Sequence, residues 1–335
     1  MKERLSNIEL LRIVAMLFVL LLHCNYTIIG SVTSKDIISV PFESFIRIFT
    51  EQLCLCCVNI FVLISGWFGI RANKKGFVSL LFQVVVLAFV IMLVLIPFKV
   101  SIPCKELFKV FYLGAYYWFI PSYILLYIFS PVLNSFIENS DYVKIKKLLI
   151  CFFLLEFTLG WLFDWEHFGF GYSGISFMGL YLLSRFFNKY KDTLFITTRR
   201  KRWYIVSYLI CSLIPTVITF FSLEFWNYGF NQMADTSPFV IAASVSLLLL
   251  FSKLEFKSKF VNSIAASSFS MYLIQLHPMV WPNWCYAMKY LYESIMGGEY
   301  MFLSILICIL FGTICIIIDQ VRICLWKIIL IRMKK

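Results

Sequence analysis

The chain has 335 residues, of which 61% are hydrophobic and only 14% charged, with a formal net charge of +12 and a mean hydropathy of +0.86. Charged residues supply about a quarter of an ordinary soluble chain, and a water-soluble fold could not hide this much apolar surface, so that class is excluded. A nucleic-acid-binding surface would gather the cations on one soluble face; here they punctuate long apolar runs, which excludes that class as well and points to a membrane.

Ten apolar runs, each near the roughly 20 residues needed to cross hydrocarbon, predict spans at 8–29, 45–70, 77–98, 116–137, 147–163, 172–187, 203–223, 237–254, 261–280 and 300–318. The first run follows Lys2 and Arg4 in the manner of a signal peptide. It ends in His23-Cys24-Asn25-Tyr26 with no small-residue cleavage site, so it is expected to remain as the first helix. With the N-terminus placed inside, 22 basic residues fall in inner segments and 5 in outer ones, so both termini are expected in the cytoplasm. The whole chain, 1–335, then reads as one domain: an all-α integral membrane protein, a bundle of about ten transmembrane helices in the inner or plasma membrane. Residues 321–335 mix Ile and Leu with Arg and Lys and are expected to form a basic amphipathic tail on the cytoplasmic surface.

The eleven cysteines form no Cys/His set with zinc-ligand spacing, and no metal site is expected. They read as small apolar fillers. Cys104 and Cys285 fall on the expected outer side, where a disulfide is one option.

Ionisable groups in hydrocarbon are expensive, so each is a functional candidate: Glu9, Arg12, His23, Arg47, Glu51, Glu156, Arg185 and His277. Arg12 and His23 are the sharpest pair. Their separation is almost three helical turns, so both project from one face of the first helix, roughly 16 Å apart along its axis. Glu9 stands three residues before Arg12 and is placed to pair with it. Taken singly, Arg12 reads as snorkelling to the inner interface and His23 as a helix–helix hydrogen bond. On one face together, they read better as a site. Glu156 and Arg185, on consecutive helices, read as a structural pair, and Asp164, Glu166 and His167 as a solvated outer turn. Trp118 and Tyr272 either line a pocket or pack, in a chain with 36 Phe.

These residues carry a resemblance. Asn7-Ile8-Glu9-Leu10-Leu11-Arg12, followed by ten residues and His23, resembles the opening of the acyltransferase-3 family of membrane acyltransferases. Val58-Asn59-Ile60-Phe61-Val62-Leu63-Ile64-Ser65-Gly66-Trp67-Phe68 resembles that family's Phe-rich segment ending in Ser-Gly-aromatic, and Arg71 stands where the family places a basic residue on the inner side. Tyr117-Trp118-Phe119-Ile120, with Tyr127 and Pro131, resembles its mid-chain segment. Ser268-Phe269-Ser270-Met271-Tyr272-Leu273-Ile274 resembles its late Ser-aromatic-Tyr-Leu-Ile segment. There are two departures. Family members often have His directly after Tyr-Leu-Ile, where this chain has Gln275, with His277 two positions later; and Asn59 stands where Asp is frequent. Whether His277 takes the place of the late histidine is open at this level.

The resemblance implies an O-acyltransferase without bound cofactor or metal. It would move an acyl group, acetyl first, from cytoplasmic acyl-CoA as co-substrate to a hydroxyl of an envelope polysaccharide or lipid-linked glycan. On that reading Arg12 and Arg71 hold the donor's phosphates. His23 takes the proton of the acceptor hydroxyl or forms an acyl-histidine, Glu51 orients it, and Trp118, Tyr272 and His277 contact substrate. Membrane lipid is the other partner, and nucleic acid is none. Two readings from other classes stand beside it: a transporter or flippase for lipid-linked glycan, and a non-catalytic subunit of a polysaccharide export system. A transporter commonly shows internal repeats or helices broken in matching halves; none is legible, and only Pro215 lies deep in a span.

Overall fold

In hydrocarbon every backbone N–H and C=O must be satisfied within its own segment, which leaves apolar runs like these the helix as their spanning form. The computed structural model describes residues 5–95, 97, 117–163, 165–226, 234–295 and 298–332, and no strand occurs among them. The predicted all-α class therefore holds. The helices are α1 (Ser6–Leu22, continued by a π-helical turn His23–Thr27), α2 (Ser34–Ser39), α3 (Pro41–Cys54), α4 (Cys57–Phe68), α5 (Lys74–Leu95) and α6 (Phe119–Asn139). They continue with α7 (Tyr142–Leu155, then a π-helical stretch Glu156–Leu162), α8 (Gly174–Lys189), α9 (Lys201–Trp226), α10 (Pro238–Ser252), α11 (Lys259–Ser267), α12 (Phe269–Gln275), α13 (Trp281–Ser294) and α14 (Gly298–Arg332).

Among the described residues six stretches are long and apolar enough to cross a membrane: Ser6–Thr27, Pro41–Phe68, Lys74–Leu95, Phe119–Asn139, Lys201–Trp226 and Glu299–Ile329. The other four predicted spans are short or interrupted. Helices α8 and α10 have 16 and 15 residues, and α7 passes into its π-helical stretch after 14. The predicted 261–280 span is divided into α11 and α12. Serine hydroxyls at that division compete for backbone carbonyls, Ser268 Oγ donating to Ala265 O at 3.0 Å and Ser270 Oγ to Ser267 O at 2.6 Å.

Two further differences concern the C-terminal part. Helix α13 lies outside every predicted span. Helix α14 runs unbroken for 35 residues, so residues 321–332 continue the last helix instead of starting a separate tail. The charged pair at that point does not stop the helix, because Arg322 Nε and Nη2 bond Asp319 one turn back at 2.7 and 2.5 Å. Cys104 and Asp164 lie outside the described residues.

Helix α1 is the hub, packed against α3, α4, α10, α11, α12 and α14. Accordingly half of its apolar window and 67% of the α3–α4 window are buried inside the protein, against 22–28% for α5, α6, α9 and α14. Two inner spans are thus surrounded by four whose outward faces meet lipid.

The predicted second span is broken at Leu55–Cys56, between α3 and α4. The Tyr208 hydroxyl reaches in from α9 there, its Oη donating to Leu53 O at 2.7 Å. A side chain inserted into the ladder is an established cause of such a break. The break leaves Glu51, in the last turn of α3, facing the interior.

Helices α7 and α8 run antiparallel, Tyr142 meeting Phe186 at 5.5 Å and Phe152 lying against Gly179. That register puts Glu156 and Arg185 at different depths. Arg185 pairs instead with Glu138 of α6 at 3.6 Å, which corrects the expected Glu156–Arg185 pair.

The Ser-Gly-aromatic run of α4 has a packing reason. A Cβ on Gly66 would lie 2.6 Å from Tyr181 O and 2.8 Å from Ser184 Cβ, and Ser184 Oγ reaches Leu63 O at 2.6 Å. Because the obstruction includes backbone, a methyl group there must push α4 off α8. Gly66→Ala is expected to destabilise the protein by roughly 1–3 kcal/mol, the usual range for overpacking. A melting curve followed by size-exclusion chromatography checks it, and an unchanged midpoint would contradict the close α4–α8 approach.

Candidate active site

Helix α1 does not stop at Leu22. At His23 it widens into the π-helical turn, a local form found often at functional sites, and Tyr300 Oη donates to Cys24 O at 2.6 Å within it. The widened turn sends neighbouring side chains in different directions. His23 points into a cavity of about 380 Å³ whose walls also carry Glu51, Trp118, Tyr172, Tyr272 and Trp281. Four predicted site residues, His23, Glu51, Trp118 and Tyr272, from α1, α3, the start of α6 and α12, therefore meet around one space.

The imidazole is held on one edge. His23 Nδ1 lies 2.6 Å from Gln275 Oε1, and the Trp281 ring stands edge-on to it at 5.5 Å between centroids. With a carbonyl oxygen opposite, Nδ1 carries the proton and donates, leaving Nε2 as the unprotonated acceptor. Gln275, noticed in the sequence only as a departure, is thus the residue that orients His23.

Glu51 has a different partner. Its carboxylate accepts from Asn25 Nδ2 at 2.9 Å. Asn25 in turn donates to Arg47 O at 2.9 Å and accepts from Arg47 Nε at 3.1 Å. The buried Arg47 guanidinium also bonds Gly30 O at 2.5 Å and Tyr292 Oη at 3.3 Å, and lies 5.9 and 5.2 Å from the Tyr26 and Tyr292 ring centroids. Gly30 adopts φ +99°, a left-handed conformation that glycine takes without steric cost, and this turns its carbonyl to Arg47. Glu51 is fixed by a chain of bonds from Arg47 through Asn25, while His23 is fixed from the opposite side by Gln275.

Arg12 occupies a second cavity, of about 230 Å³, with Ser65, Gln83 and Tyr123 on its walls. Its guanidinium lies 3.7 Å from Glu9, the pairing expected from the i, i+3 spacing, and Ser65 Oγ meets Tyr123 Oη at 3.2 Å. Phe61, Phe119 and Phe269 belong to the walls of both cavities. Phe119 stands between the other two, 6.3 Å from each by ring centroid. These three rings form a septum between the Arg12 chamber and the His23 chamber.

Two predicted site residues lie elsewhere. Arg71 is exposed beyond the end of α4 and lines neither chamber. His277 is fully buried and its Nδ1 accepts the Met279 N–H at 3.2 Å; it turns into the protein from the bend after α12 and does not line the His23 cavity. Among the described residues no group of three His, Cys, Asp or Glu side chains is arranged to hold a metal ion. Sequence reasoning missed Gln275, Asn25, Tyr172 and Trp281. The available signals were the position of Gln275 directly after Tyr-Leu-Ile and that of Asn25 two residues after the histidine.

An imidazole facing one chamber and a guanidinium in the neighbouring one thus lie inside a multi-pass helical bundle. The chain belongs to the acyltransferase-3 family: the family model Acyl_transf_3, described as an acyltransferase domain, matches residues 5–319. It is a multi-pass membrane acyltransferase. No curated protein and no solved structure matches the chain.

Proposed function

We propose that this acyltransferase moves an acetyl group from cytoplasmic acetyl-CoA to a hydroxyl of a cell-envelope polysaccharide or lipid-linked glycan. In this reading the chain sits in the inner or plasma membrane with ten membrane-embedded segments and both termini inside. The observation that carries the proposal is the His23 ring, tied at Nδ1 to Gln275 with its other edge free beside a cavity of about 380 Å³.

An alcohol is a poor nucleophile near neutral pH, and a neutral imidazole is well matched to take its proton as it attacks. The acceptor O–H proton passes to His23 Nε2, the oxygen bonds the thioester carbonyl carbon, and the C–S bond breaks to release the CoA thiolate. The proton on His23 then neutralises that leaving group. The aromatic wall of Trp118, Tyr172 and Trp281 suits the apolar C–H faces of a sugar ring. Trp118 and Tyr172 meet at 4.2 Å between centroids, so one continuous surface is offered. Glu51 adds an acceptor for a second sugar hydroxyl, and Tyr272 closes the pocket beside the septum.

The donor is assigned to the Arg12 side. Its phosphates pair with Arg12 and, at the surface, with Arg71, and its acetyl end passes the Phe61–Phe119–Phe269 septum to reach the acceptor beside His23. Charge-assisted bonds are worth roughly 1.5–3 kcal/mol each, so Arg12→Ala is expected to raise the apparent KM for acetyl-CoA about ten- to a hundredfold. Arg71→Ala is expected to raise it less, because an exposed charge is screened by salt. Purified protein in lipid nanodiscs, given radiolabelled acetyl-CoA and de-acetylated envelope glycan, tests the whole proposal. Label in alkali-labile glycan ester supports it; no ester formation with any acyl-CoA would overturn the donor assignment.

A further inference from the structure

Away from both chambers, the start of α9 and the end of α10 form a different kind of site. Arg199, Arg200, Lys201, Arg202 and Lys253 surround an open depression of about 660 Å³ with Glu255 as the one acid on its rim. Among the described residues none of these five cations is engaged in an ion pair. Arg199 also forms the head of a second cavity, about 500 Å³, that runs along α9 and α10 between Trp203, Ala242, Val245 and Leu249. The Arg199 guanidinium carbon sits 3.1 Å from the Phe195 ring centroid, which holds the cation at the junction of the two spaces.

The chemistry of the groove decides what belongs there. Its remaining polar side chains are already satisfied. Tyr204 Oη bonds Ile196 O at 2.8 Å, and Ser246 Oγ bonds Ser207 Oγ at 2.9 Å and Ala242 O at 2.7 Å. It therefore offers apolar surface and no free donors, which a nucleotide could not use and a hydrocarbon chain can. Phe195 and Ile196, in the turn before α9, and Trp203, in the first turn of that span, are exposed beside it. Five cations at the mouth demand a negative headgroup, and clustered Lys and Arg beside a membrane helix attract anionic lipid at about 1 kcal/mol per cation.

The geometry points to a binding site for one anionic phospholipid, its phosphate at Arg199–Arg202 and Lys253 and an acyl chain laid along the α9–α10 groove. This site stands apart from the acyl-transfer reaction and does not depend on the assignment of donor or acceptor.

Protein stripped of lipid in a neutral detergent tests it, titrated with phosphatidylglycerol or with phosphatidylcholine of the same acyl chains, bound lipid being counted by native mass spectrometry. Phosphatidylglycerol is expected to be retained in preference to phosphatidylcholine. The double substitution Arg200→Ala/Lys253→Ala is expected to lower its apparent affinity roughly tenfold or more. Ala242→Trp, which fills the groove and leaves every cation in place, is expected to weaken it as well. Equal retention of the two lipids would overturn the proposal, as would phosphatidylglycerol binding that neither variant changes. Complete displacement by inorganic pyrophosphate or by CoA, with Ala242→Trp neutral, would also overturn it by showing a phosphate site that needs no chain.

Discussion

His23→Ala is expected to abolish acyl transfer while leaving the protein folded in the membrane. A positioned general base contributes roughly 10²–10⁴-fold to rate, so turnover normalised to folded protein should fall by that order with the donor KM little changed. The competing account keeps His23 for packing between α1 and α12, through its bond to Gln275. Loss of such a bond costs about 0.6–2 kcal/mol in a membrane interior, seen as lower yield or melting temperature with turnover preserved. Gln275 variants separate the two further. Gln275→Leu removes the acceptor facing Nδ1 and should lower kcat, because the ring is then free to turn or to carry its proton on Nε2. Gln275→Glu restores an acceptor and should recover part of the loss. Near-native turnover in His23→Ala would end the assignment of this histidine as the base.

Arg47→Ala is expected to be the most destabilising single change in the site. Arg47 is buried, and its guanidinium ties Asn25, Gly30 and Tyr292 together around Glu51. Removing the guanidinium leaves its partners Asn25, Gly30 and Tyr292 without their donor, and each buried polar group left unsatisfied costs about 1–3 kcal/mol. A fall in melting temperature on the order of 10 °C follows from the usual scaling of stability with midpoint. Arg47→Lys should rescue little, since an ammonium cannot serve three partners arranged around a planar fork. Glu51→Gln should cost less in Arg47→Ala than in the unmodified protein, because Asn25 has then already lost its anchor, a coupling measurable in a double-mutant cycle. If the two substitutions add without coupling, Arg47 and Glu51 do not form one network.

Much of this was legible in the chain. Composition and the spacing of charges were enough for an all-helical membrane protein, because in hydrocarbon an apolar run has only the helix available. The near-integral number of turns between Arg12 and His23, and the rarity of ionisable groups in such runs, were enough to single out the hub helix. Glu9 beside Arg12 followed from local geometry alone.

What the sequence did not contain was anything set by contact between distant segments. Gln275 lies 252 residues from His23, and only the packing of α12 on α1 makes it the partner of the imidazole. The same holds for the link from Arg47 through Asn25 to Glu51, which required the π-helical turn at His23–Thr27 and the break after Glu51. Neither irregularity is marked by proline or glycine. Arg185 chose Glu138 over Glu156 because helix register, not nearness in sequence, sets depth in the bundle. Hydropathy reports which residues leave water, and helical spacing reports which share a face. Which faces meet is decided by side-chain fit among helices of almost equal apolarity, and that is a property of the folded bundle.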